Sequence, residues 1–359
     1  MSATDQALAA APREQGRPHS GEAPRRQGRT LRLGESWITG VSSIAGPTEA
    51  RGPLGQRFDA TVDHLLGQKS WERAESQLLT RAVGLLCDRL HLRTADFDLL
   101  LAGDLLNQTI AASFCARQLD IPFLGLYNAC ATFTEALGLA GVLCSGGFCR
   151  RVVVATSSHH DAAERQYRLP TEFGNQRPPS AQWTATGAAA VAVDAQAGDR
   201  PAARLVAFTP GRVLDYGVRD PFNMGAAMAP AAADTLATHV SDLALHPGDF
   251  GAVYTGDLGR VGVPLCEEML RARGLDLSLR DCGVELYDPA HQDVHAGGSG
   301  AGCSALVFAA AILPAIRRGD YRRACLCCTG ALHSTTTYQQ GESIPALAHA
   351  VTLESPAGD

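Results

Sequence analysis

Apolar positions recur along this chain in two rhythms, one helical and one of strand length. From Ser70 to Leu90 they fall at Leu78, Leu79, Val83, Leu86, Cys87 and Leu90, the spacing of a single helix face. Ala111–Leu119 and the apolar stretch Thr132–Cys144 read as further helices. Short apolar runs lie between them: Asp98–Ala102, Phe123–Tyr127 and the β-branched Val152–Thr156. Strands of this kind are buried on both faces, so the predicted fold class is α/β with helices covering a largely buried sheet. Residues 1–30 are rich in Ala, Pro, Arg, Gly and Gln and have no apolar period. They read as a disordered tail, with order expected to begin near Trp37-Ile38.

The later part of the chain repeats the earlier part. Leu101-Ala-Gly-Asp-Leu-Leu-Asn107 matches Tyr254-Thr-Gly-Asp-Leu-Gly-Arg260, and each follows an acidic, apolar lead-in. Cys130 opens an apolar helix that ends in glycines and Arg150-Arg151 before the strand Val152–Thr156. Cys303 opens another that ends at Gly319 and Arg322-Arg323 before Ala324–Cys328. The strand exits also correspond, with His159 in one and His333 in the other. The expected organisation is a tail (1–30), an N-terminal half (31–200) and a C-terminal half (201–359).

Composition narrows the chemistry. The net charge of −6 gives no bulk field for nucleic acid, so no nucleic-acid partner is expected. The longest late apolar stretch, Ala305–Ile316, is too short to span a bilayer, and no signal-peptide core opens the chain. A cytoplasmic fold is therefore expected. Its 11 cysteines are scattered and read as reduced, mostly buried thiols; Cys325, Cys327 and Cys328 sit in an apolar strand rather than in metal-ligand spacing. Lys69 is the only lysine, so no GxxxxGK[ST] phosphate loop exists, and no cofactor or metal is expected.

Asn128-Ala-Cys-Ala-Thr-Phe-Thr-Glu-Ala-Leu137 resembles the nucleophile segment of ketoacyl-ACP synthase III enzymes, with Cys130 in the nucleophile position. Further segments resemble one branch of that thiolase superfamily, the stage V sporulation protein AD family. They include Gly103–Gln108, Ala155–His159, Ala163–Tyr167, Pro170–Gly174, Met228–Asp234, Ala296–Gly300 and Glu342–Pro345. This resemblance implies a duplicated thiolase-like fold in five layers, αβαβα, commonly a homodimer. It also implies a role in moving dipicolinic acid, with or without calcium, into the developing spore. The protein would act peripherally at the spore inner membrane, alongside other stage V sporulation A membrane proteins.

A cysteine at a helix N-terminus can have its thiolate stabilised by unpaired N–H groups, which condensing enzymes use to form a thioester. The enzymes it resembles supply a His and an Asn as partners. The matching segments here are Thr255–Arg260, with Asp257 and no histidine, and Ala296–Gly300, with Ser299 and no asparagine. An aspartate beside the thiol raises its pKa, which argues against acyl condensation. Asp257 is expected to play a structural part, because Asp104 repeats its turn. Candidate ligand contacts are Cys130, His159, Arg165, Asp257, Gly298, Ser299 and His333, with Arg168 and His295 flanking them. Gly297 to Gly300 would let backbone N–H groups approach an anion. The favoured reading is a non-catalytic dipicolinate binder. An acyl-transferring enzyme using Cys130 is the alternative, and a scaffold for membrane partners is the third.

Overall fold

The computed structural model describes residues 25–167 and 176–356. The first half supplies β1 (Trp37–Ala45), β2 (Leu99–Gly103), β3 (Phe123–Gly125), β4 (Arg151–Ser158) and β5 (Gly187–Asp194). The second supplies β6 (Ala203–Thr209), β7 (Ala252–Thr255), β8 (Leu279–Asp281), β9 (Arg323–Ala331) and β10 (Ala346–Glu354). Their order across the sheet is β8-β7-β9-β10-β6-β1-β5-β4-β2-β3. Read outward from the β6–β1 junction, one half mirrors the other. In each, an inner antiparallel trio leads to parallel outer strands. The junction itself is narrow, with Ala203 opposite Ile38 and Arg204 opposite Trp37.

Helices α1 (Trp71–Leu90), α2 (Ile110–Leu119), α3 (Thr132–Ser145) and α4 (His160–Tyr167) belong to the first half. The second has α5 (Met224–Leu243), α6 (Gly259–Arg271) and α7 (Ala301–Val307), the last continuing through a π turn to Arg318. Alternating strand positions sort the core. Val153 faces outward with Leu78, Leu79 and Leu86 of α1, while Val152 and Val154 face inward onto Phe133 and Leu137 of α3. In the second half Cys325 faces out to α5 and α6, and Leu326 faces in to Leu306 and Phe308. The central helices meet edge to face at Phe133 and Phe308, 5.3 Å between centroids. Outer helices, strands, central helices, strands and outer helices form the five αβαβα layers.

Among the described residues one helical run, Ala301–Arg318, is long and apolar enough to cross a membrane, yet 78% of it is buried in protein. It is a central-layer helix.

Order begins earlier than Trp37. Short strands at Arg25–Gln27 and Thr30–Arg32 pair with each other, and the second adds to β6. Asp242 Oδ2 accepts the N–H groups of Arg29 and Thr30, and the Arg29 guanidinium pairs with Asp234 at 2.8 Å. Distant carboxylates order these residues, and no local apolar pattern reveals that. The rest of the expected tail, residues 1–24, lies outside the described residues, as do Arg168 and the segment Pro170–Gly174.

Candidate functional site

Beyond β3 the chain turns through a tight elbow into α3. Ala129 sits at φ 50, a left-handed conformation uncommon for a residue with a Cβ. Thr132 locks the turn: its hydroxyl donates to the Ala129 carbonyl at 2.7 Å and accepts from the Asn128 N–H at 3.0 Å. Cys130 follows, 7% exposed, at the mouth of the central layer.

Thr255–Arg260 and Ala296–Gly300, the two segments the sequence reading matched to the enzymes' histidine and asparagine, converge here. Ser299 Oγ lies 3.5 Å from Cys130 Sγ and donates to Asp257 Oδ2 at 2.9 Å. Asp257 also accepts from the Gly300 N–H on Oδ2 and from the Thr329 hydroxyl on Oδ1. Ser299 has one proton and gives it to Asp257, so toward Cys130 it can only accept. With Asp257 ionised, the thiol is then the donor, as S–H rather than thiolate. Electrostatics agree. Burial, and after it the Asp257 carboxylate, push the Cys130 thiol well above its ordinary value. Burial also raises Asp257, against the hydrogen bonds it receives.

Above the thiol is a small cavity of about 40 Å³ whose wall includes Leu105, Cys130, Thr184, Ser299, Tyr127 and Tyr167. His333 completes it at the outer end. Tyr127, Tyr167 and His333 also line a wider vestibule of about 570 Å³, so they form the neck between the two. The tyrosine hydroxyls lie 2.7 Å apart, and the Tyr167 and His333 rings are 6.3 Å apart, tilted by 40°.

Of the expected contacts, Cys130, Ser299 and His333 share this cavity, and Asp257 sits directly behind Ser299. Gly298 lies beneath the site; a Cβ there would come within 2.7 Å of the Tyr287 ring. Two amides of the glycine turn are already engaged, Gly297 donating to the Val294 carbonyl and Gly300 to Asp257. His159 and Arg165 lie elsewhere. His159 is fully buried with Nε2 2.7 Å from the His64 carbonyl. It follows Ser158, and strand alternation turns the two side chains opposite ways. Arg165 projects outward, pairs with Glu72 and covers the Trp71 ring. His295 pairs with Asp293 at 2.9 Å.

Tyr127 and Tyr167 were not singled out in the sequence, although Tyr127 immediately precedes the Cys130 elbow. His349 was not either. Its Nε2 lies 3.4 Å from the Asn128 amide, and burial pushes its pKa down to about 4, so it is neutral.

Fold and site together define a thiolase-like protein. Comparisons with solved structures agree on the fold. A tetronic acid condensing enzyme superimposes with a TM-score of 0.56 at 17% identity, covering 89% of this chain and 99% of that one. The 3-oxoacyl-(acyl carrier protein) synthase III of Pseudomonas aeruginosa gives 0.53 at 15%, covering 90% and 98%. Cerulenin-bound OleA of Xanthomonas campestris gives 0.57 at 15%, covering 91% and 99%. The sequence profile of stage V sporulation protein AD matches residues 28–354. Stage V sporulation protein AD of Bacillus subtilis is 45% identical over 325 residues, 90% of this chain and 95% of that protein. The chain belongs to the stage V sporulation protein AD family, which gives it a role in sporulation.

Proposed function

We propose that this protein binds dipicolinic acid without catalysis and acts in its uptake into the developing spore. It would sit peripherally at the spore inner membrane beside other stage V sporulation A membrane proteins. The observation that carries the non-catalytic reading is the chain Cys130–Ser299–Asp257. It favours the protonated thiol, and what stands beside that thiol is a hydroxyl and a carboxylate, a poor combination for acyl condensation, which needs a base and an oxyanion donor.

A flat diacid would seat its ring at the neck aromatics, with its carboxylates pointing outward into the vestibule and away from Asp257. Tyr127, Tyr167 and His333 then supply the recognition. Both Asp257 oxygens already accept hydrogen bonds, so a calcium ion would be carried by the ligand rather than by this residue. For the homodimer, β3 is one of the two sheet edges, and Phe114, Leu124 and Tyr127 are 44%, 52% and 42% exposed beside it. A second copy adding along that edge would cover them.

One observation favours acyl transfer as a second reading: the hydrogen-bond chain leads from the thiol to a buried carboxylate whose pKa is raised. Against it, the thiol is raised too, by the same burial and by that carboxylate.

The test is calorimetric titration with dipicolinate, with and without calcium, on the wild type and Cys130→Ala. Saturable heat that weakens in the variant is expected. No heat from either protein, together with a covalent acyl adduct on Cys130 after incubation with acyl-CoA, would reverse the reading.

A further inference from the structure

A second concavity, of about 420 Å³, lies at the other end of the sheet. Its β1 residues, Thr39–Val41, are next to the Val191–Val193 stretch of β5, whereas the pocket end of β1, Ala45, pairs with Gly187. It straddles the seam between the halves: Arg89 and Leu90 come from the end of α1, Arg200 from the loop before β6, and Leu313 to Arg318 from the end of the central helix.

Four guanidinium groups surround an apolar floor of Leu90, Leu313 and Pro314. Two of the four are answered within the protein. Arg89 bonds Asp59 and the Val41 carbonyl, and Arg318 bonds Asp320. Arg200 and Arg317 have no hydrogen-bond or ion-pair partner among the described residues, and both are exposed. Asp199, next to Arg200 in sequence, makes no ion pair with it. The whole chain carries −6, so a groove with two uncompensated cations runs against the charge of the rest of the molecule. Cations above an apolar trough fit an amphiphile with an anionic head.

We propose that this groove seats an anionic phospholipid, its phosphate between Arg200 and Arg317 and its acyl chain along Leu90, Leu313 and Pro314. The inference rests on the membrane part of the function proposed above and not on dipicolinate. The groove and the Cys130 cavity lie at opposite ends of the sheet, so each can fail without the other.

The experiment is vesicle co-sedimentation of the full chain. It uses vesicles of phosphatidylcholine alone and vesicles with added phosphatidylglycerol, at low and high salt, and calorimetry with inorganic phosphate. The wild type should pellet with the anionic vesicles and be released by salt. Each arginine near such a surface contributes about 1 kcal/mol, so Arg200→Gln with Arg317→Gln should bind roughly 30-fold more weakly. Both side chains are exposed, and an unchanged thermal melting curve would show that the double variant is folded. A second variant, Asp320→Asn, frees Arg318 and should bind anionic vesicles more tightly. Equal binding to neutral and anionic vesicles, or wild-type binding by the double variant, would overturn the proposal. So would saturable binding of inorganic phosphate, lost in the double variant, without any vesicle association.

Discussion

The Gly-Asp-Leu turn occurs in both halves, and its aspartate does a different job in each. Asp104 serves its own helix: Oδ1 accepts the Leu106 N–H and Oδ2 the Ala112 N–H, each at 2.8 Å. At the matching place in the second half, Asp281 of β8 takes over that work. It accepts the N–H groups of Leu258, Gly259 and Val284 and the Thr255 hydroxyl. Asp257 is thereby free to turn toward the seam, where it receives Ser299, Gly300 and Thr329. A duplicated scaffold can thus release one copy of a structural residue for the site once another residue assumes its bonds.

The helix starts diverge in the same way. Cys130 follows a strained alanine and lines the cavity; Cys303 follows glycines and is fully buried. Gly302 is what lets the second helix start press against the first half. A Cβ on it would lie 2.5 Å from the Gly187 carbonyl oxygen and 2.8 Å from Ser158 Oγ. Backbone cannot yield as a flexible side chain does, so Gly302→Ala should cost about 3 kcal/mol or more in urea unfolding. A variant as stable as the wild type would show that the halves are not tightly seated here.

Glu49 tests the same seam by pH. It belongs to the first half, is fully buried, and accepts the hydroxyl of Tyr287 from the second half at 2.5 Å. Burial raises its pKa from 4.5 to about 7, against its hydrogen bonds. Below pH 4.5 the carboxyl is protonated folded and unfolded. Between 4.5 and 7 the unfolded chain loses the proton while the folded one keeps it, so stability falls as pH rises. Glu49→Gln is neutral throughout and keeps an acceptor for Tyr287. Its stability relative to wild type should therefore rise by about 3 kcal/mol across that window. Melting curves at pH 4.5 and 7.5 measure it; a pH-independent difference would place the titration elsewhere.

Periodicity and repetition made the fold legible. The buried strands, the helices on both faces and the paired Gly-Asp-Leu turns were all in the chain's pattern. Within the site, the elbow cysteine and its two partner segments were legible because turn motifs carry them. His159 and Arg165 were misplaced because proximity to a strand exit does not say which way a side chain faces. The repeated turn pointed to a structural Asp257, but it did not reveal that Asp257 bonds Ser299, Gly300 and Thr329 rather than its own helix, because the substitute, Asp281, is not in the repeated motif. The aromatic neck was missed because Tyr127 and Tyr167 come together only in three dimensions, 40 positions apart.

The two aspartates can be set against each other directly. In Asp104→Asn the amide oxygen can accept one of the two backbone N–H groups, but the amide nitrogen is a donor facing the other. A buried N–H then loses its acceptor, at a cost of about 2 kcal/mol, with ligand binding unchanged. Urea unfolding and the dipicolinate titration together check both halves of that expectation.

Asp257→Asn should have the smaller effect on stability and the more specific one on chemistry. Its oxygen can still accept from Ser299 and Gly300, while its NH₂ turns to Thr329, whose hydroxyl can rotate to accept where it now donates. All partners stay satisfied, so the fold should lose less than about 1 kcal/mol. What disappears is the negative charge that, after burial, holds the Cys130 thiol up. The thiol should ionise at lower pH, and iodoacetamide should alkylate Cys130, followed by peptide mass, severalfold faster at neutral pH than in the wild type. If the rate does not change, burial alone silences the thiol and the second-half aspartate is as structural as the first. If alkylation rises and dipicolinate affinity rises with it, the carboxylate both suppresses the nucleophile and repels the ligand's own carboxylates, as the outward-facing pose requires.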